Sequence, residues 1–210
     1  MVVVDVLRAF TTAAYAFDRG AKEIILVSTV DEAFEIRDRN PGCLLIGELD
    51  GLPIDGFDFP NSPSALEGVD LTARRLVQRT TAGTQGAIRA ARSDHLFVAS
   101  LCVASPTAKW IGAIGTDVVT FVETGVKARG GGEEDVACAD YISGLLLGAP
   151  IDPTEIQTRV RNSRAAARFS GIENAVFPST DLEHALEIDR FSFAMKVGRE
   201  NDLPMLRPIP

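Results

Sequence analysis

The residues able to do chemistry in this chain sit where apolar runs end and turn formers begin. Asp5 closes the β-branched run that starts at Val2, and Arg8, Thr11 and Thr12 follow it. A carboxylate at the end of a buried strand is costly unless it is paired or bound to a metal. Arg8 offers a planar fork of donors suited to phosphate or sulfonate oxygens. Thr11 and Thr12 open a helix and add hydroxyls and free N–H groups. An Asp5–Arg8 salt bridge with threonine caps would satisfy the same residues without a ligand. Glu48 marks a second strand end, after the apolar run Cys43 to Ile46 and Gly47. It leads into the turn-rich stretch Gly56-Phe57-Asp58-Phe59-Pro60-Asn61-Ser62-Pro63. Ser62-Pro63 is a helix-start signal, because a side-chain oxygen caps free N–H groups and proline fits the first helical position. The loop gathers Glu48, Asp50, Asp55, Asp58 and Asn61 near a helix N-terminus. That mixture suits a hard cation and an anion held together. Asn61 and Ser62 are expected to face the ligand, and Asp58 to brace the loop.

Two further clusters fit the same chemistry. Arg79-Thr80-Thr81-Ala82-Gly83-Thr84-Gln85-Gly86 lies between a strand and a helix, where hydroxyls and glycine favour a backbone nest around an anion. No Gly-Lys-Ser/Thr follows, so it is not a Walker loop, and a capped helix after a tight turn accounts for the same residues. Gly130-Gly131-Gly132-Glu133-Glu134-Asp135 starts a long helix. Acidic residues favour any helix start, yet three after a glycine run can also place a carboxylate at a cleft, with Glu123 nearby. Asp140 and Tyr141, further along that helix, read as structural, as do His95 and His184. No Gly-x-Ser-x-Gly elbow is present. Carboxylates, hydroxyls and one arginine, without histidine or thiol, point to magnesium-assisted transfer at a phosphate.

These residues need elements to position them. Strands are read at Val2 to Val6, Glu23 to Val27, Cys43 to Ile46, Arg75 to Arg79, His95 to Ala99 and Val118 to Val122. Helices are read at Phe10 to Arg19, Val30 to Asp38, Ser62 onward, Thr84 to Arg92, Val103 to Ala113 and Glu133 to Leu147. The alternation predicts an α/β fold, layered α/β/α around a mixed central sheet, with ligands at strand C-terminal edges. Helices from Asp152 to Glu187 are expected to pack on the outside, and the proline-bearing tail from Asn201 to be extended. Thr12 to Ser28 can be laid on Thr84 to Ser100 without a gap. This admits one domain over 1–210 built of two duplicated halves, about 2–70 and 75–150, plus a helical C-terminal part.

Composition narrows the partners. The net charge of −8, from 21 basic and 29 acidic side chains, argues against nucleic acid, which needs a basic face. No apolar run reaches the roughly 18 to 20 residues that span a bilayer, and no signal peptide is seen. Cys43, Cys102 and Cys138 read as buried reduced thiols of a cytoplasmic protein. A homodimer is in keeping with a domain of this size.

Five motifs stand in the order seen in 2-phosphosulfolactate phosphatases. They are Asp5-Val6-Leu7-Arg8-Ala9-Phe10-Thr11-Thr12, Gly47-Glu48, Gly56 to Pro63, Thr80-Thr81-Ala82-Gly83-Thr84 and Glu134-Asp135-Val136-Ala137-Cys138-Ala139. The chain resembles that family over about residues 2–147. The resemblance implies a compact α/β phosphatase that uses Mg2+ to convert 2-phosphosulfolactate to 3-sulfolactate, a step toward coenzyme M. Asp5, Arg8 and Glu48 would be catalytic. Asp5, Glu48, Glu134 and Asp135 would hold the metal. Thr11, Thr12, Asn61, Ser62, Thr80, Thr81, Gly83 and Thr84 would bind substrate. Attack by Asp5 and attack by water are both open. Leu49 stands where the family typically has arginine, Ala82 where many members have asparagine, and Glu123 where a small residue or cysteine is usual. Relatives are expected to carry a further strand and helix before the Asp5 strand, at which this sequence starts, so that either the start is mis-assigned or an edge of the fold is missing. These departures keep two alternatives in view: a phosphatase for another small acidic phosphoester, and a non-catalytic anion-binding relative.

Overall fold

Three valines in succession can be buried on both faces only inside a covered sheet, and in the computed structural model they form its strand β1, Val2–Val4. The structure describes residues 1–125, 131–171 and 174–210. Helix α1 (Ala9–Asp18) follows β1, then β2 (Glu23–Leu26), α2 (Val30–Arg39), β3 (Leu44–Gly47) and the short β4 (Phe59–Pro60). Next come β5 (Arg75–Arg79), α3 (Gly83–Ala90), β6 (Leu96–Ala99), α4 (Ala104–Ile114) and β7 (Phe121–Glu123). The chain finishes with α5 (Glu133–Leu146), α6 (Pro153–Arg161), α7 (Ser179–Ala185), β8 (Ala194–Glu200) and β9 (Leu203–Ile209). The layered α/β/α reading with a mixed sheet holds.

Local chemistry explains the boundaries. Thr29 and Glu32 form a reciprocal capping box at the start of α2. Gly115, in the left-handed region, ends α4. The Ser62-Pro63 signal starts only a 3₁₀ turn, Ser64–Leu66. The strand expected at Val118 to Val122 begins later, at Phe121.

Among the described residues the strands form one nine-stranded sheet in the order β4-β3-β5-β2-β9-β8-β6-β1-β7. Its parallel pairs are β3 with β4, β5 with β3 and β2, and β1 with β6 and β7. The β8–β9 hairpin joins the two groups by antiparallel pairing on both sides. The tail expected merely to be extended is therefore the middle of the sheet. Asn201 and Asp202, both at positive φ, make its two-residue turn. Hairpin register puts Pro204 and Pro208 opposite Arg199 and Met195, at non-hydrogen-bonded pairs where a missing N–H costs no bond to β8.

The topology has a twofold correspondence. Exchanging β1 with β5, β2 with β6, β3 with β7 and β8 with β9 returns the order from β3 to β7 reversed. Each half sends its first helix across to the other half. Sheet twist of roughly 20–25° per strand pair accumulates to about 100° or more over the five steps from β5 to β1. The two strand ends thereby meet, and the Gln78 side chain donates to the Ala9 carbonyl at 2.9 Å.

Gly47 makes the end of β3 fit against β5. A Cβ there would lie 2.0 Å from the Arg79 carbonyl oxygen, which is backbone and cannot step aside. Gly47→Ala should lower stability by about 2 kcal/mol or more, read as a lower urea midpoint. An unchanged midpoint would contradict this packing.

Candidate active site

Asp5, just past β1, is held in place by its neighbours. Its Oδ1 accepts the Ala9 N–H at 3.0 Å and its Oδ2 the Thr124 hydroxyl at 3.2 Å. Gly83 lets the second turn approach it, since a Cβ there would sit 2.7 Å from Asp5 Oδ2. Asp135, in the first turn of α5, accepts the Val6 N–H at 2.8 Å and the Gly125 N–H at 2.9 Å. Gly125 and Gly132 allow this by close backbone contact, where a Cβ on Gly125 would lie 2.2 Å from the Gly132 Cα. Glu134 is 4% exposed, and its Oε2 has no hydrogen-bond partner. Gly130, the first residue of the expected glycine run, lies outside the described residues.

Burial, with neighbouring charges second, raises the proton affinity of these three carboxyls. Burial pushes Asp5 up to about 6, with the Glu48 charge adding to it and the Ala9 amide opposing it. Burial, then Asp5 and Glu133, push Glu134 up to about 7. Asp135 is raised well above the ordinary range by burial, Asp5 and Glu134. These groups line a cleft of about 670 Å³.

Arg8 is on the cleft too, but its partner is not Asp5. Its Nη1 donates to Asp181 at 2.7 Å and to the Val176 carbonyl at 2.8 Å. Its guanidinium lies 5.4 Å and 4.9 Å from the ring centroids of Phe169 and Phe177. Asp181 is fully buried and also accepts from the Ser62 and Ser64 hydroxyls and the Ser64 N–H. Asn61 lines the cleft with a buried Oδ1 that has no partner.

Several expected residues support the walls instead. Glu48 lies on the cleft, but its oxygens accept the Thr81 and Gly51 N–H groups and the Thr81 hydroxyl. Ser62, expected to face the ligand, donates its hydroxyl to Asp181 at 2.8 Å. Thr11 donates to the Val6 carbonyl, and Thr80 and Thr84 bond each other. Thr12 is fully buried with an unpartnered hydroxyl. Of that hydroxyl-rich turn, Thr81 and Ala82 reach the cleft, while Gly83 packs against Asp5. Asp58 braces the loop through the Leu45 N–H at 2.7 Å. Leu49 lies on an exposed turn bridged to Leu52.

The segment after Asp152 does not merely pack outside. Arg164, Arg168, Phe169 and Phe177 form one wall of the cleft. Asp181, Thr124, Arg168 and the Gly125–Gly132 contact were missed by sequence reasoning. Their spacing carries no motif, and only the fold brings them near Asp5.

The strand ends of the α/β sheet thus set a cluster of carboxyl groups and an arginine fork on one cleft. The relatives give the class of protein to which the chain belongs. A family model described as 2-phosphosulpholactate phosphatase matches residues 1–205. A protein of Bacillus subtilis named "Probable 2-phosphosulfolactate phosphatase" is 37% identical over 210 residues, covering 99% of this chain and 91% of its own length. A Deinococcus radiodurans protein of the same name is 40% identical over 147 residues, 70% of this chain and 61% of its own. One from Thermus thermophilus is 30% identical over 209 residues, 97% and 81% of the two chains. The chain belongs to the 2-phosphosulpholactate phosphatase family, a family of phosphoric monoester hydrolases.

Two outcomes test this geometry. Asp181→Ala leaves Arg8 buried without its carboxylate and should cost roughly 3–5 kcal/mol, seen as a lower urea midpoint at unchanged slope. A shift below about 1 kcal/mol, the scale of an exposed pair, would deny Asp181 its central place. The raised carboxyls give the second outcome. Folded, they keep protons that the unfolded chain has released, so stability falls as pH climbs through the range about 5 to 7. In EDTA the Tm should decline across that range, and less so in Asp5→Asn. A rising Tm would contradict the buried cluster.

Proposed function

We propose that this protein is a Mg2+-dependent phosphatase that hydrolyses 2-phosphosulfolactate to 3-sulfolactate and inorganic phosphate. The observation that carries the reading is the unpartnered, buried Glu134 Oε2 beside Asp5 and Asp135, on a cleft that also presents Arg8. Among the described residues no three His, Cys, Asp or Glu side chains close round a point as a metal cage. Magnesium asks for less, since it is usually bound through one or two carboxylates plus water and substrate phosphate oxygens. Oxygen donors whose proton affinity is raised by burial and, next to it, by neighbouring carboxylates fit such a cation. Glu134 and Asp5 are the residues to hold it, with Asp135 fixing the turn through Val6 and Gly125. When bound, the metal would polarise the phosphoryl group and offset its charge.

The chain's own groups supply the rest. Arg8 presents the part of its fork not committed to Asp181 and Val176 to an anionic oxygen. Asn61 offers its side-chain amide at the cleft. The Thr81–Ala82 turn borders the same space, with its geometry locked by Glu48. Both Asp5 oxygens already accept hydrogen bonds, which favours an orienting and metal-holding role and leaves the attack on phosphorus to water. The reaction is of the type that leads toward coenzyme M, and unpaired buried Cys43, Cys102 and Cys138 suit a reducing cytoplasm. No helix among the described residues is long and apolar enough to cross a membrane.

Phosphate release from 2-phosphosulfolactate should require Mg2+ and stop with EDTA. Arg8→Ala and Asp5→Asn should each lower kcat/KM by about a hundredfold or more, in line with loss of a charge-stabilising group at the reacting centre. Turnover in EDTA, or full activity in either variant, would sink this assignment.

A further inference from the structure

Arg168 reaches the cleft from a 3₁₀ turn, Ala166–Phe169. Its guanidinium carbon lies 3.9 Å from the centroid of the Phe177 ring. Gly51 also lies against the group, since a Cβ there would come 2.5 Å from Arg168 Nη2 and 3.0 Å from Phe177 Cζ. Arg8 uses the same Phe177 ring, so two guanidiniums share one aromatic side chain. The acids nearby are already committed. Asp181 is taken by Arg8, Ser62 and Ser64, and Glu48 by Thr81 and Gly51. Among the described residues Arg168 has no ion pair. Burial, then the charge of Arg8, lower its proton affinity. Two cations on one part-dry cleft, of which only Arg8 is paired with a buried carboxylate, are an arrangement that an incoming anion stabilises.

We propose that Arg168, beside Arg8, is a specificity-determining residue that holds the second anionic group of the substrate, a sulfonate or a carboxylate, away from the phosphoryl group. This rests on the reading of the cleft as a phosphoester site. The two ends divide the work by charge: carboxylates and metal take the phosphoryl oxygens, and the stacked guanidiniums take the other anion. Phe177 and Gly51 fix the plane of the Arg168 fork, so little freedom is lost on binding. Lysine cannot reproduce that planar fork.

The test uses the full chain. Calorimetric titration with 3-sulfolactate compares wild type, Arg168→Gln and Arg168→Lys. Steady-state kinetics compare 2-phosphosulfolactate with phospholactate, 2-phosphooxyethanesulfonate and phenyl phosphate. Arg168→Gln should weaken 3-sulfolactate binding and raise KM for 2-phosphosulfolactate by about ten- to hundredfold, the scale of a lost charge-assisted hydrogen bond. Its penalty on phenyl phosphate should be at least about tenfold smaller, with Arg168→Lys falling between. Whichever single-anion analogue keeps the Arg168 dependence identifies the group it holds. Equal losses on all esters, or unchanged 3-sulfolactate affinity, would overturn the proposal. Thermal melts and circular dichroism check folding, and Arg168→Lys carries the test if the glutamine variant does not fold. If wild type hydrolyses none of the esters, the phosphatase reading fails. The 3-sulfolactate titration then still decides the role of Arg168.

Discussion

The site depends on one costly constraint: three carboxyl groups are buried together at the end of β1 and the start of α5. Placed in a dry environment, like charges repel and favour protonation. The fold offsets part of that cost with amide donors. Ala9 serves Asp5, while Val6 and Gly125 serve Asp135. Glu134 Oε2 receives nothing. Two of the three carboxylates are thus served by amides on named oxygens, and the third keeps one oxygen, Glu134 Oε2, without a partner. On the other wall Arg8 is neutralised by Asp181, whereas Arg168 has no ion pair among the described residues.

Asp181 ties these walls together. It is buried, and in one place it neutralises Arg8 and receives the Ser62–Ser64 turn. Three segments remote in sequence thus converge on one carboxylate. Breaking a buried pair costs far more than the pair contributes over apolar packing, so its value here lies in fixing register. It holds the Asn61 loop and the aromatic-lined C-terminal wall at a set position relative to β1.

The twofold pattern reappears inside the site. Asp5 follows β1 and accepts from Thr124, which follows the neighbouring β7. Glu48 follows β3 and accepts from Thr81, which lies just beyond the neighbouring β5. Each of the two strand groups flanking the hairpin therefore carries one carboxylate–threonine pair across adjacent strand ends. The two pairs differ in surroundings: Asp5 sits in a crowd of acids, whereas Glu48 is engaged by Gly51 and Thr81. The β8–β9 hairpin links the halves, and sheet twist swings them round until the two strand ends share a cleft.

The sequence by itself determined the alternation of strands and helices, because burial on both faces demands apolar β-branched runs and caps mark where helices begin. It also picked out Asp5, Arg8, Asn61, Thr81, Glu134 and Asp135 as polar residues at apolar run ends or turns, and all of them line the cleft. It did not reveal which polar residues would face inward to one another. Ser62, Thr80 and Thr84 carry the same chemistry as true cleft residues, and only their partners distinguish them. Nor did it reveal Asp181, Arg168, Phe169 and Phe177, or the place of the β8–β9 hairpin in the middle of the sheet. Those depend on contacts between residues more than a hundred positions apart, and hydrophobic periodicity and capping act over only a few turns of chain.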